Sequence, residues 1–257
     1  MSPFSHSFAS ILRKTGKKAL SFFLNNTDVA ATRVECIYKY RTFLTGLKEK
    51  ISEELSTHTQ YPVYCDYKKH DLTGKSCWVV DCILGEKNFV TSLQPFSLML
   101  TEFIDGQANS VAIFDPYTDD LITAASDRGS FLGHHKLKIR PTDYCDIGFT
   151  NSANSAMLLS QTGCAIRLFG CPEMEIAWLC QGKADLCFYE SFELHPGLRL
   201  LIQESQGTFF STRVDRNNKS FCVIGHKGTI QLLLKSPLLS KVFAGEQWVH
   251  SLQSLFE

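Results

Sequence analysis

From Trp78 onward the chain changes character. Trp78-Val79-Val80-Asp81 is a short apolar run that stops at a carboxylate, and Gly85 follows four residues later. Phe96 to Phe103 and Val111 to Phe114 read as strands separated by Asp105-Gly106, and Leu121 to Ala125 reads as another before Gly129 and Gly133 break the chain. Helical spacing marks residues 33–56, where Val34, Ile37, Tyr38, Leu44, Leu47, Ile51 and Leu55 recur, until Tyr61-Pro62 ends the region. Farther on, Ala165 to Phe169 is a candidate strand. Pro172 opens a helix to about Gln181 that Gly182 closes, and Leu198 to Glu204 is helical. Phe209-Phe210 and Phe221 to Ile224 are candidate strands, and Ile230 to Phe256 a final helix. Strands and helices intermixed in this way predict an α/β or α+β fold.

Composition narrows the function. The chain has 257 residues, 44% of them hydrophobic, so it can bury a real core. Lys plus Arg is 26 and Asp plus Glu is 26, which argues against nucleic-acid binding through bulk charge. No apolar run reaches the roughly 18 residues of a membrane span, so no membrane span is expected. Ten cysteines are scattered with no CxxC pair, against a zinc ribbon or a thioredoxin-type site. Reduced thiols and the lack of a secretory signal point to a cytoplasmic protein. The first 27 residues carry Arg13, Lys14, Lys17 and Lys18, no acid, and six apolar residues from Phe4 to Phe23. A membrane-surface helix or transit peptide is one reading. An ordinary first helix is preferred, because these apolar residues do not keep one clean face.

The stretch Trp78 to Leu137 resembles the inositol monophosphatase family, which includes the bacterial extragenic-suppressor branch. The family's W-x-x-D-P-[IL]-D-G-T-x-N-F reads here as Trp78-Val79-Val80-Asp81-Cys82-Ile83-Leu84-Gly85-Glu86-Lys87-Asn88-Phe89. Pro95-Phe96-Ser97 and Phe114-Asp115-Pro116 fit the following strand entry and turn, and Leu121 to Leu137 the glycine-rich run after them. Gly170 to Asp185 resembles the G-S-A-A helix and strand, and Glu204 and Gly207 fit E-A-G-G. Ordered matches over most of the chain are specific where one short match is weak. The resemblance implies a layered α/β/α/β/α sandwich. One part runs through residues 1–140 and carries the motif; a second, α/β, runs through 141–257. It also implies a homodimer and a Mg²⁺-dependent phosphomonoesterase, in which metal ions held by carboxylates and a main-chain carbonyl activate water against a phosphate ester.

The chemistry residues depart from that pattern. Asp81 and the backbone of Ile83 remain. The second aspartate is Leu84, which cannot bind a hard cation, and Glu86 replaces the threonine. An ungapped count puts Lys69 and His70 at the upstream glutamate pair, with Asp66 and Asp71 off register. Glu193, Leu194, His195 and Pro196 stand where a Trp-Asp pair is expected. A lone carboxylate does not hold Mg²⁺ tightly. The expectation is a catalytically impaired pseudophosphatase acting by protein contacts or by binding a small phosphorylated ligand; the extragenic-suppressor branch offers a transcription-complex role by analogy. The alternative is an active Mg²⁺-dependent phosphatase on inositol monophosphate or a related ester. Convergence of Asp66 or Asp71 with Glu190 or Glu193 on Asp81 would favour activity. Filling of that space by Leu84, Lys69 and His195 would favour impairment.

Weaker candidates complete the reading. Gly85, Glu190, Glu193 and His195 are candidate ligand-binding residues. Glu86 reads as a solvated turn residue beside Lys87 rather than a relocated base. Adjacent residues such as His134 and His135 point to opposite faces of a strand, against a metal pair. Cys82 has no flanking group to lower its pKa and reads as a packed side chain.

Overall fold

The computed structural model describes residues 4–25, 32–142, 144–214 and 219–235. Helices α1 (His6–Asn25) and α2 (Arg33–Ser56) come first, then strands β1 (Val63–Cys65) and β2 (Cys77–Leu84) and the short helix α3 (Glu86–Val90). A meander follows: β3 (Ser97–Ile104), β4 (Gln107–Asp115), β5 (Asp120–Ala125), β6 (Gly129–Leu132) and β7 (His135–Lys136). The second half comprises β8 (Ile147–Thr150), α4 (Ala153–Ser160), β9 (Ala165–Arg167), α5 (Pro172–Cys180) and β10 (Leu186–Glu190). After these come α6 (Pro196–Glu204), β11 (Thr208–Val214), β12 (Lys219–Gly225) and α7 (Lys227–Lys235). The helix expected over Ile230 to Phe256 is α7 at its start; its remainder lies outside the described residues.

Two sheets result. The first, seven-stranded, runs β1 to β7 in chain order, parallel only between β1 and β2. The second, five-stranded, has the order β11-β12-β10-β8-β9 and mixes both senses. Period-two side-chain alternation gives each inner strand two apolar faces. Leu98, Leu100, Ala112 and Phe114 join α1 and α2 on one side of the first sheet. Met99, Val111 and Ile113 join α5 and α6 on the other, and those helices also meet Tyr189, Cys222 and Ile224 of the second sheet. Leu159 of α4 and Ile230 of α7 cover its far side with Phe188 and Val223. The order of layers is therefore α/β/α/β/α, the predicted sandwich.

Helix α1 corrects one expectation. Its buried residues are Phe8, Ile11, Leu12, Thr15, Gly16, Ala19 and Phe23, a single face at helical period packed on β3 and β4. Lys14 meets Glu54 of α2 at 2.8 Å on the opposite, solvent side. Among the described residues no helix is long and apolar enough to cross a membrane.

Candidate functional site

Strands β1 and β2 are parallel, with Cys65 opposite Val80. Asp66 therefore leaves β1 alongside Asp81, its backbone N–H donating to the Val80 carbonyl at 3.1 Å. The chain then turns through a single 3-10 turn, Tyr67–Lys69. The Tyr67 N–H donates to Asp81 Oδ1 at 3.1 Å. It is thus Asp66, not Lys69 or His70, that emerges beside Asp81. Lys69 instead donates to Asp66 Oδ2 at 2.6 Å, and Lys48 of α2 reaches the same oxygen at 2.6 Å. Burial acts to raise Asp66, but the two lysine hydrogen bonds outweigh it and hold the carboxyl below its ordinary value. His70 turns away to stack on Tyr64 with Nε2 at 3.1 Å from the Cys65 carbonyl. Asp71 closes a local turn with Thr73.

His195 caps α6. Its Nδ1 accepts the Gly197 N–H at 2.9 Å, so in the neutral ring the proton sits on Nε2. That Nε2–H faces Asp81 Oδ2 at 3.6 Å, beyond hydrogen-bond length, and among the described residues neither atom has another partner. The imidazole packs edge-on against Tyr67, with ring centroids 4.4 Å apart. Gly197 admits the close seat of α6 on the first sheet, since a Cβ there would stand 2.6 Å from Thr101 Oγ1 and 3.0 Å from Val111. Burial, with Lys68 and Arg199 adding to it, depresses His195 to about 3. Burial also pushes Asp81 up to about 6; the Tyr67 N–H opposes this, and Asp66 and Glu173 reinforce it. Both shifts favour the uncharged forms, so near neutral pH a neutral imidazole N–H faces a carboxylate, which is not an ion pair.

The turn after Asp81 keeps its frame. Gly85 sits at φ 82°, and a Cβ there would meet the Pro95 carbonyl at 2.9 Å and Cys171 Sγ at 3.1 Å, so a glycine is required. Asn88 donates to the carbonyls of Pro95 at 2.9 Å and Phe169 at 2.6 Å, tying the turn to the second half of the chain. Leu84 packs against the core between the sheets and Ile83 against the α1–α2 core. Glu86 is exposed at the start of α3. Cys82 is buried, and burial raises its thiol.

Other named residues lie apart from Asp81 or pair elsewhere. Glu190, at the end of β10, accepts from Ser152 at 2.8 Å. Glu193 is exposed and 3.9 Å from Lys68. His134 and His135 are exposed on the β6–β7 turn. Sequence reasoning missed Glu173, whose charge bears on Asp81 from the first turn of α5. Its signal was an acid in the fourth place of the stretch matched to G-S-A-A. It also missed Lys48, which helical periodicity marks only as a polar position.

The Mg²⁺ that the resemblance implies does not fit these side chains. Magnesium asks for several anionic or phosphate oxygens in octahedral array. Here the Leu84 side chain offers no oxygen, one oxygen of Asp66 is taken by two ammonium groups, and the free oxygen of Asp81 faces an N–H donor. Among the described residues, no group of three or more His, Cys, Asp or Glu side chains is arranged to hold a metal ion.

No protein-family model matches the chain. Curated relatives do. A Nus factor SuhB of Buchnera aphidicola (subspecies Acyrthosiphon pisum) is 24% identical over 212 residues, 74% of this chain and 79% of the relative. An inositol-1-monophosphatase of Caulobacter vibrioides is 25% identical over 229 residues, 80% and 81% of the two chains. Among solved structures, the extragenic suppressor protein SuhB of Bartonella henselae superposes with a TM-score of 0.67. It has 17% identity and covers 89% of this chain and 96% of that one.

Proposed function

We infer, for a chain whose sequence and fold support the inositol monophosphatase family, that the scaffold has been kept and its metal chemistry lost. The proposal is a pseudophosphatase that acts through protein contacts, or by holding a small phosphorylated ligand, without Mg²⁺. One observation carries it: of the two aspartates at this strand end, Asp66 is held by the ammonium groups of Lys48 and Lys69, and the free oxygen of Asp81 faces a histidine N–H. A cation at Oδ2 would have to displace that N–H and approach the ammonium groups of Lys48 and Lys69 on Asp66. Ions in such sites generate the nucleophile and neutralise phosphate charge, so a site that rejects them loses both roles. What the chain's own residues do is mechanical. Asp81 and Tyr67 bind the end of β2 to the 3-10 turn, and His195 seals the start of α6 over them. A contact role follows the analogy of relatives named Nus factors. A homodimer, as the resemblance implies, is part of the same proposal.

The test is Mg²⁺-dependent phosphate release from inositol monophosphate, fructose bisphosphate and a generic phosphomonoester. The wild type is expected to show no turnover. A Leu84→Asp, Glu86→Thr, His195→Asp variant, run alongside, asks whether carboxylates restore it. Metal-dependent turnover by the wild type, abolished by Asp81→Asn, would overturn the reading.

A further inference from the structure

At the second sheet, not the first that carries Asp81, two cysteine sulfurs meet. Cys145 Sγ and Cys164 Sγ are 2.9 Å apart, and both thiols are free. We propose that Cys145 and Cys164 form an oxidisable dithiol, closed to a disulfide by hydroperoxide and reopened by thiol reductants, that clamps the edge strand β9 to β8.

The backbone builds this pair. β8 and β9 are adjacent and parallel, with Ile147 opposite Ala165. The Ala165 N–H donates to the Asp146 carbonyl at 2.7 Å, so Cys145-Asp146 and Cys164-Ala165 run side by side. Neighbouring strands lie about 4.8 Å apart, and disulfides span Cα separations of about 4.4–6.8 Å. The Cys145 side is fixed from below: buried Asp185 accepts the N–H groups of Asp146 at 3.0 Å and Ile147 at 3.1 Å. Gly148 leaves room for the second sulfur, because a Cβ there would stand 3.1 Å from Cys164 Sγ. Cys164 is buried and Cys145 half-buried, so a small oxidant has one side of approach.

The 2.9 Å contact carries the chemistry, and either sulfur can donate across it. One proton shared between two touching thiols favours a single thiolate: the contact with Cys145 lowers Cys164 against burial and the Asp185 and Asp146 carboxylates, while Cys145 is raised. The Cys164 thiolate attacks one peroxide oxygen. The O–O bond breaks, hydroxide leaves and takes up a proton, and Cys164 becomes the sulfenic acid. The Cys145 sulfur then attacks the Cys164 sulfur. The S–O bond breaks, and the hydroxyl leaves as water with the Cys145 proton. Two thiols and one peroxide give one disulfide and two waters. The clamp reaches beyond its own strand, since the chain two residues past β9 reaches Phe169, whose carbonyl accepts from Asn88 beside the Gly85 turn.

The full chain makes the test clean, because the tryptic peptide of residues 139–167 holds these two cysteines and no other. After hydrogen peroxide and alkylation, that peptide is expected lighter by two hydrogens and free of alkyl groups, and dithiothreitol should restore two alkylation sites. Amides of β8 and β9 should exchange more slowly in the oxidised protein. In Cys145→Ser and in Cys164→Ser the remaining cysteine is expected to stay unlinked. The inference falls if both cysteines of the wild type still alkylate under peroxide that oxidises half-buried Cys36. It falls equally if Cys164 over-oxidises to sulfinic acid, or if either sulfur links to a different cysteine.

Discussion

Asp81 and His195 face each other with pKa values moved in opposite directions, so acid acts on them oppositely. In the unfolded chain an aspartate titrates near 4; in the fold Asp81 titrates at about 6. Its burial is harmless below about pH 4, where both states are protonated, and costs stability as pH rises through 6. A shift of about two units at ~1.4 kcal/mol each gives about 3 kcal/mol over that window. Urea unfolding of wild type and Asp81→Asn is expected to show the wild type losing about 2–3 kcal/mol relative to the variant between about pH 4 and pH 7. A difference that does not move with pH would show that Asp81 is not desolvated. His195, at about 3 instead of near 6.5, gives the mirror case. Its contribution is whole above about pH 6.5 and is withdrawn as pH falls toward 3, so wild type should lose stability relative to His195→Gln on acidification. At this scale the sequence was partly legible. Leu84 and Glu86 were pinned by matched neighbours on both sides. Asp66 falls off register in an ungapped count because β1 has three residues and the turn after it is short. Glu173 and Lys48 were invisible because only the packed layers bring α5 and α2 to one strand end.

Two helices of the first layer show when a glycine is structural. Gly16 of α1 faces the sheet, and a Cβ there would stand 2.3 Å from the buried Phe114 ring. Alanine gains about 1 kcal/mol of helix propensity over glycine, but overpacking a rigid buried ring costs about 1–3 kcal/mol. Gly16→Ala is therefore expected to destabilise by up to about 2 kcal/mol. Gly46 of α2 has nothing among the described residues within 4 Å of the same atom, so Gly46→Ala is expected to stabilise by about 0.5–1 kcal/mol. Chemical denaturation midpoints of the two variants should move in opposite directions; equal movement would mean that α1 does not sit against Phe114. The same glycine explains a misreading. The buried face of α1 includes Thr15 and Gly16, which hydropathy does not mark, so the face looked broken. Helix α2 was legible end to end, its bounds Arg33–Ser56 matching the helical spacing. Strand β8 and helix α4 were passed over. The four residues Ile-Gly-Phe-Thr are too few to establish a period, and in α4 the apolar Met157, Leu158 and Leu159 are consecutive, so neither period gives a signal.

For the whole molecule, the order of layers was readable because ordered motifs fix the fold over most of the chain, while the chemistry depends on a few side chains that the fold tolerates in other forms. The consequence is measurable without any substrate. A ligand that binds only the folded state stabilises it by RT ln(1 + [L]/Kd). A Mg²⁺ site with Kd of about 0.1 mM would add about 2.7 kcal/mol at about 10 mM free ion. For a chain of this size that raises Tm by about 5–10 °C. Lysines on Asp66 and an imidazole N–H on Asp81 already occupy the positions where such binding energy would arise. Thermal unfolding in Mg²⁺ is therefore expected to differ by less than about 1 °C from unfolding in NaCl of equal ionic strength. EDTA should change nothing. A shift of several degrees in the wild type that disappears in Asp81→Asn would mean that the lysines and His195 yield to a cation, and that the scaffold still spends its surviving aspartate on metal.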